Sequence, residues 1–242
     1  MSSLSSFKKN VYSQNGEDGV LQEILGRLEI FRGEFVEFGA WDGKHLSNTR
    51  HLLDQGWGGV YIEGDRDRYQ QLVQNMQPFA VRVELINAYV EPSGKNSLDS
   101  LLARTRLLPE FDVLSIDIDS FDWQVWESLK TYNPTVIVIE INSGIPAGIY
   151  QTHRGSNVQG SSFTATVDLG ARKGYAAVCH TGNLIFVRNN AVPRLKLPES
   201  EITFPETLFD YSWTRPCYAA PPSPGQIYLS RIRTTLKKMA RR

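Results

Sequence analysis

Four β-branched residues in a row, Val136-Ile137-Val138-Ile139, lie within the run Thr135 to Ile141. A half-exposed strand would alternate apolar and polar residues. This run does not, so it suits a strand buried on both faces, as in a parallel sheet with helices on either side. Upstream, strand-like runs at Glu34 to Phe38, Gly59 to Glu63, Val81 to Val90 and Phe111 to Asp117 are each separated by a helical pattern. The first helix shows Val20, Leu21, Ile24, Leu25 and Leu28 at helical spacing, with Asn15 as its expected N-cap. Others are expected from Ser47 to Gly56, Asp67 to Met76, Ser97 to Thr105, Asp122 to Leu129 and Ser162 to Ala171. Tyr175 to Cys179 and Leu184 to Arg188 flank Thr181-Gly182-Asn183 and read as a hairpin. Strand–helix alternation predicts a doubly wound α/β sheet, closed at one edge by that antiparallel hairpin.

The chain has 242 residues, enough for one large domain with a proper core. At 41% hydrophobic and 21% charged, it is an ordinary globular chain rather than a disordered one. Residues 1–190 are expected to form the main domain. Residues 191–230, rich in Pro and aromatics, are expected to be a cap, lid, dimer contact or packing segment. Residues 231–242 form a basic tail. Basic and acidic residues balance at 26 each, which leaves no general nucleic-acid footprint. The tail holds Arg231, Arg233, Lys237, Lys238, Arg241 and Arg242 and no acid. It is read either as a solvated helix or as a weak contact to an anionic surface. Cys179 and Cys217 form neither a disulfide framework nor a cysteine zinc site. The first ten residues carry Lys8 and Lys9 without an apolar stretch, and no run reaches a membrane span, so a cytoplasmic protein is expected.

In an open α/β sheet, ligands bind beyond the carboxyl ends of the strands. There the sequence places Glu37-Phe38-Gly39-Ala40-Trp41-Asp42-Gly43, Glu63-Gly64-Asp65, Asn87-Ala88, Asp117-Ile118-Asp119 and Glu140-Ile141-Asn142. The first loop is GxxxG rather than GxGxxG. Glu37 and Asp42 beside the turn would repel a diphosphate but suit a cationic ligand such as S-adenosylmethionine. Glu63 is placed to accept hydrogen bonds from a ribose diol. If strand geometry continues, Asp117 and Asp119 share a face, as do Glu140 and Asn142, on adjacent strands. Carboxylates that close suit a hard divalent cation, so Asp117, Glu140 and Asn142 are the expected Mg²⁺ ligands, with Asp119 a ligand itself or bonded to one; the other reading is that Asp119 caps the following helix and Glu140 bonds backbone amides.

Asp119 or His153, in the polar loop 150–157, is the candidate base, with His45 a weaker rival. His51 and His180 are read as structural. Lys95 and Arg154 are candidates for an anionic substrate, or are simply solvated. Trp123 and Trp126 are read as packing residues.

Tyr12-Ser13-Gln14-Asn15-Gly16-Glu17-Asp18-Gly19, Val36 to Gly43, Leu46-Ser47-Asn48-Thr49, Asp112 to Asp119 and the Gly174-Tyr175 hairpin together resemble the FkbM-like S-adenosylmethionine-dependent methyltransferases, over residues 11–190. The resemblance implies a Rossmann-like class I methyltransferase fold with a seven-stranded, mostly parallel sheet. It also implies O-methylation of a sugar, glycan or natural product. On that footing Glu37, Gly39, Ala40 and Gly43 line the methionine end of the cofactor, Glu63 holds the ribose, and Asn87 and Ala88 flank the adenine. Gln14 and Ser47 contact the carboxylate, and Asp117 faces both cofactor and metal. The chain departs from the pattern at Asp119-Ser120, where Glu-Gly often follows the aspartate. Glu140 and Asn142 also replace the adjacent Asp-Asn pair of metal-dependent sugar and catechol O-methyltransferases.

The reaction expected is in-line methyl transfer to a hydroxyl of a small-molecule or glycan acceptor, in a chain that is monomeric or a homo-oligomer. Three other readings fit the fold. One is a metal-independent methyltransferase using Asp119 or His153 alone. Another is a non-catalytic binding protein. The third is an NAD-dependent oxidoreductase, which would need the missing GxGxxG.

Overall fold

The computed structural model describes residues 3–155 and 160–218. Seven strands form one sheet: β1 (Glu34–Phe38), β2 (Gly58–Glu63), β3 (Val83–Asn87), β4 (Val113–Ile116), β5 (Val136–Glu140), β6 (Tyr175–His180) and β7 (Asn183–Arg188). Their order is β3-β2-β1-β4-β5-β7-β6. β3, β2, β1, β4 and β5 pair in parallel, while β7 runs antiparallel to both β5 and β6. The predicted hairpin thus closes the edge beside β5.

Six helices cover the sheet: α1 (Glu17–Arg27), α2 (Arg50–Asp54), α3 (Arg66–Met76), α4 (Leu98–Leu102), α5 (Asp122–Ser128) and α6 (Phe163–Arg172). Strand residues alternate between two apolar cores, as the pleat requires. Val36, Phe38, Val60, Ile62, Leu114, Ile116, Ile137 and Ile139 pack under α4, α5 and α6. Phe35, Tyr61, Val113, Val136 and Val138 pack under α1, α2 and α3. This double burial is what the unbroken Val/Ile run of β5 signalled. Trp126 is fully buried and Trp123 nearly so, both in the first core, as packing residues.

Some element bounds differ from expectation. The helix expected over 47–56 spans only Arg50–Asp54, because Ser47, Asn48 and Thr49 turn inward to hydrogen-bond Glu37. The first helix is not capped by Asn15. Gly16, at φ +99, occupies the N-cap without a side-chain bond, and the Asn15 N–H donates to Glu17 instead. Strand β4 ends at Ile116, so Asp117 and Asp119 lie in a loop, with Asp119 at φ +61. Past β7, short helical turns carry the chain from residue 192 to 213 across the sheet edge, and Phe209 packs into the first core. The basic tail 231–242, the end of the segment 191–230 and residues 156–159 of the His153 loop lie outside the described residues. No described helix is long and apolar enough to cross a membrane.

Candidate active site

The carboxyl ends of β1, β2, β4 and β5 open onto two adjoining chambers of about 430 and 390 Å³. Each falls within the size range of small-molecule sites. The larger lies over β1 and β2 and is lined by Glu37, Gly39, Ala40, Trp41, Ser47, Glu63 and Ala88, among others. The smaller lies over β5 and the hairpin turn and is lined by Asn15, Asn142, Ser143, Asn183, Trp213 and Arg215, among others. Gln14, Leu46, Asp117, Asp119 and Glu140 line both. The carboxylates therefore stand at the junction.

Glu37 carries the floor of the larger chamber. It is 5% exposed. Its Oε2 accepts from Ser47 Oγ (2.6 Å) and Thr49 Oγ1 (2.6 Å), and its Oε1 from the Asn48 N–H (2.9 Å). In register with Glu37 on the neighbouring strands stand Tyr61 and Ser115. Thr49 Oγ1 lies 3.2 Å from Tyr61 Oη, and Asn48 Nδ2 donates to Ser115 Oγ (3.0 Å). Burial pushes the Glu37 carboxyl up, against the pull of these donors. Glu37 and Ser47 thus spend their hydrogen bonds on each other and on this row, holding the loop after β1 in place.

Glu63 does similar work one strand over. Its Oε2 accepts from the Trp41 N–H (2.7 Å) and its Oε1 from the Asp65 N–H (2.8 Å), and each oxygen keeps a second lone pair. Asn87 is not in the lining. Its Nδ2 donates to the carbonyls of Glu63 and Gly64, steadying the loop from behind. Gly43, at φ +71, faces Leu72 and Met76 of α3 rather than the chamber. Gly39, at φ +72, is required by space: a Cβ there would lie 1.6 Å from the Asp117 carbonyl oxygen. Trp41, Leu46 and Asp119 also have positive φ, so three non-glycine residues on the chamber walls hold a backbone shape that costs energy. Arg68 lies 4.1 Å over the Trp41 ring.

At the junction, one carboxylate oxygen each from Asp117, Asp119 and Glu140 lies within 4.8 Å of the others. The Asp119 N–H donates to Glu140 Oε2 (3.0 Å). The left-handed turn at Asp119, not strand alternation, brings this side chain to the other two. Burial first, then the neighbouring acids, pushes Glu140 up to about 9 and Asp117 up to about 7. Repulsion between half-buried Asp117 and Glu140, with exposed Asp119 beside them, is what a hard divalent cation would relieve, so these three residues could hold Mg²⁺. Of the expected ligands, Asp117 and Glu140 lie in this cluster with Asp119, and Asn142 lines the same chamber, its Oδ1 accepting from the Gly144 N–H (3.2 Å).

His153 is buried, and its ring meets Phe121 edge-on at 4.7 Å. It lines neither chamber, whereas His45 lines the larger and packs against Trp41. His180 is structural: its Nδ1 accepts from the Asp210 N–H (3.0 Å), and its Nε2 lies 2.8 Å from Ser143 Oγ.

Three acids that position the site were not singled out in the sequence. Asp122 accepts from the Ile118 and Ser120 N–H groups and fixes the loop that carries Asp119. Asp18 Oδ2 accepts from the N–H groups of Val11, Tyr12 and Ser13, each at 2.8 Å, and so shapes the loop that presents Gln14. Glu17 Oε1 accepts from Thr181 Oγ1 and Asn183 Nδ2, pinning the hairpin turn to α1. The signal available for all three was an acid in the first turn of a helix, where free N–H groups collect.

With strand order β3-β2-β1-β4-β5-β7-β6 and β7 reversed, the sheet is that of the Rossmann-like class I methyltransferases. No family model and no curated protein matches the chain. Solved structures do align with it. A provisionally assigned caffeoyl-CoA O-methyltransferase from Staphylococcus aureus is 12% identical, with 73% of this chain and 84% of that one covered at a TM-score of 0.48. An O-methyltransferase family protein from Burkholderia thailandensis is 10% identical, covering 69% and 54% at 0.46. The N-terminal domain of EvdMO1 with SAH bound is 12% identical, covering 72% and 80% at 0.45. At these values the likeness assigns neither ligand nor reaction.

Proposed function

We propose that the chain is an S-adenosylmethionine-dependent O-methyltransferase acting on a hydroxyl of a sugar, glycan or related small molecule. One observation carries this reading: two chambers, at the strand ends where this sheet binds ligands, meet at Asp117, Asp119 and Glu140. A donor in one chamber and an acceptor in the other would face each other across those carboxylates. The likeness of the quoted motifs to FkbM-like enzymes supports the same assignment.

When bound, S-adenosylmethionine would supply the methyl group, and a divalent ion held by Asp117, Asp119 and Glu140 would make the acceptor hydroxyl more acidic. The chain's own residues do the rest. Gly39 lets the end of β1 lie against the Asp117 backbone. Glu63 has lone pairs left for a ribose diol, and Ala88 and Tyr89 form the wall beyond it. Gln14 lies where both ligands would meet. Asp119, 61° into positive φ and held by Glu140, takes the hydroxyl proton on its carboxylate. Asp119 is preferred to His153 as base because it lines both chambers and His153 lines neither. A metal-independent reaction with Asp119 as sole base is the second reading, and it needs no change in this geometry.

Calorimetric titration of S-adenosylmethionine and S-adenosylhomocysteine, in Mg²⁺ and in EDTA, tests the assignment. Micromolar binding of both is expected. Titrating Mg²⁺ alone should show a site that Glu140→Ala abolishes, and turnover unaffected by EDTA would select the metal-independent reading. Failure of both nucleoside ligands to bind would overturn the methyltransferase assignment.

A further inference from the structure

Arg215 is the one cation among the described residues lining the smaller chamber. The rest of its polar lining is three carboxylates at the junction plus amides and hydroxyls such as Asn15, Asn142, Asn183 and Ser143. The Arg215 backbone N–H donates to the Gly144 carbonyl (3.1 Å), which ties the residue to the chamber rim. Its guanidinium makes no hydrogen bond or ion pair among the described residues. It is not the counter-ion of Asp117, Asp119 or Glu140.

The placement of Arg215 is built into the backbone. A Cβ at residue 144 would lie 2.7 Å from both Cγ and Nε of Arg215. Gly144 is not among the residues with positive φ, so turn geometry does not call for a glycine there. The approach of the arginine stem does. On the opposite side of the same segment, Trp213 lies against Gly182, where a Cβ would lie 3.0 Å from its ring. Trp213 and Arg215 are thus seated on two bare stretches of backbone, one an aromatic face and the other a fork of N–H donors. An arginine fork matches the two oxygens of a carboxylate or phosphate, and an aromatic face with amides around it suits a hydroxylated ring.

We infer that the acceptor is an anionic hydroxylated compound, a sugar acid or sugar phosphate, whose charged group is held by Arg215 while its hydroxyl meets the junction carboxylates. This inference rests on the methyltransferase reading for the word acceptor, but the anion site itself does not. Placing the negative group at Arg215 also keeps it at the rim, away from the acids of the junction.

Three probes decide it on the full chain: methyl β-D-glucuronide, glucose 6-phosphate and the neutral methyl β-D-glucoside, titrated by calorimetry or ligand-observed NMR. At least one anionic probe is expected to bind about 10-fold or more tightly than the neutral glycoside, as a charge-assisted pair allows. The preferred one distinguishes carboxylate from phosphate. Arg215→Ala should erase the preference and Arg215→Lys should keep part of it. Gly144→Ala should weaken it without removing any charge, because the stem is displaced. Equal binding of charged and neutral probes, a preference that survives Arg215→Ala, or no binding of any probe at 10 mM (roughly the weak limit for a recognised ligand) would overturn the inference. S-adenosylhomocysteine is titrated into the same samples. If it binds but no anion preference exists, only this inference fails. If the Arg215-dependent preference exists but the nucleoside does not bind, the methyltransferase reading fails instead.

Discussion

Two glycines in the loop after β1 look alike in sequence and differ in consequence. Gly39 and Gly43 both have φ near +70°. At Gly39 an added Cβ would strike the Asp117 carbonyl oxygen at 1.6 Å, and two backbone segments would have to part. At Gly43 it would meet the Leu72 Cδ1 and Met76 Cε atoms at 2.6 Å, the ends of flexible side chains. Strain from positive φ costs about 1–2 kcal/mol in either case. Overpacking against backbone adds about 1–3 kcal/mol at Gly39 and less at Gly43, where rotamers can yield. Gly39→Ala is therefore expected to lose about 2–5 kcal/mol in urea denaturation and to abolish S-adenosylhomocysteine binding. Gly43→Ala should lose about 1–2 kcal/mol and keep binding within a few-fold. Equal effects of the two substitutions would show that the close approach of β1 to the β4 loop is not what the GxxxG spacing serves.

The loop before α1 and the helix itself work as one element. Asp18 gathers three backbone N–H groups and the Ser13 hydroxyl on a single oxygen, and Gly19 packs so tightly that a Cβ would lie 2.1 Å from the Phe7 carbonyl. Removing that oxygen strands donors that are only partly open to water, at about 1–3 kcal/mol each when fully buried and less here. Asp18→Ala should cost about 2–4 kcal/mol, and amide exchange at Val11, Tyr12 and Ser13 should accelerate well beyond that of α1. Ligand affinity should fall too, since Gln14 sits in this loop and lines both chambers. Unchanged exchange at those three amides would show that the carboxylate is not what holds the loop. At this scale the sequence was most legible for β5 and the hairpin, because hydrophobic period and turn residues are local signals. It was least legible for the roles of polar residues. Glu37, Glu63 and Asn87 read as ligand contacts from their places at the strand ends; Glu37 and Glu63 line the chamber while also holding its loops, and Asn87 bonds the Glu63 and Gly64 carbonyls from outside the lining. Which way such a side chain faces depends on loop φ values at Trp41, Leu46 and Asp119, and none of those residues announces a left-handed turn. The Asp117–Asp119–Glu140 cluster was legible in residue type, but for a different reason from the one strand alternation suggested.

The molecule as a whole holds charges that pull its stability in opposite directions along the pH scale. Burial raises Glu140 to about 9, Asp117 to about 7 and Asp122 to about 6. The folded chain therefore binds more protons than the unfolded one above pH 4, and this stability is full below pH 4 and is lost progressively as pH rises from there, ending near 6 for Asp122, 7 for Asp117 and 9 for Glu140. Burial lowers His180 to about 4, where it accepts the Asp210 N–H in its neutral form. That stability is present above the unfolded histidine value near 6.5 and is lost as pH falls toward 4. Lys173, lowered to about 8 by burial, adds a rise with pH above 8 that offsets part of the carboxyl loss. In EDTA the melting temperature should accordingly be highest near pH 4 to 5 and fall from there toward pH 8, because over that range unfolding releases protons from three carboxyls and takes one up on His180 alone. Millimolar Mg²⁺ should flatten the alkaline limb alone, because the ion replaces the protons that the junction carboxyls would otherwise keep. Glu140→Gln should flatten the same limb in EDTA and make it indifferent to Mg²⁺. An alkaline limb unmoved by both Mg²⁺ and Glu140→Gln would mean that Asp117 and Glu140 do not titrate together, and that the junction between the chambers is not a cation site.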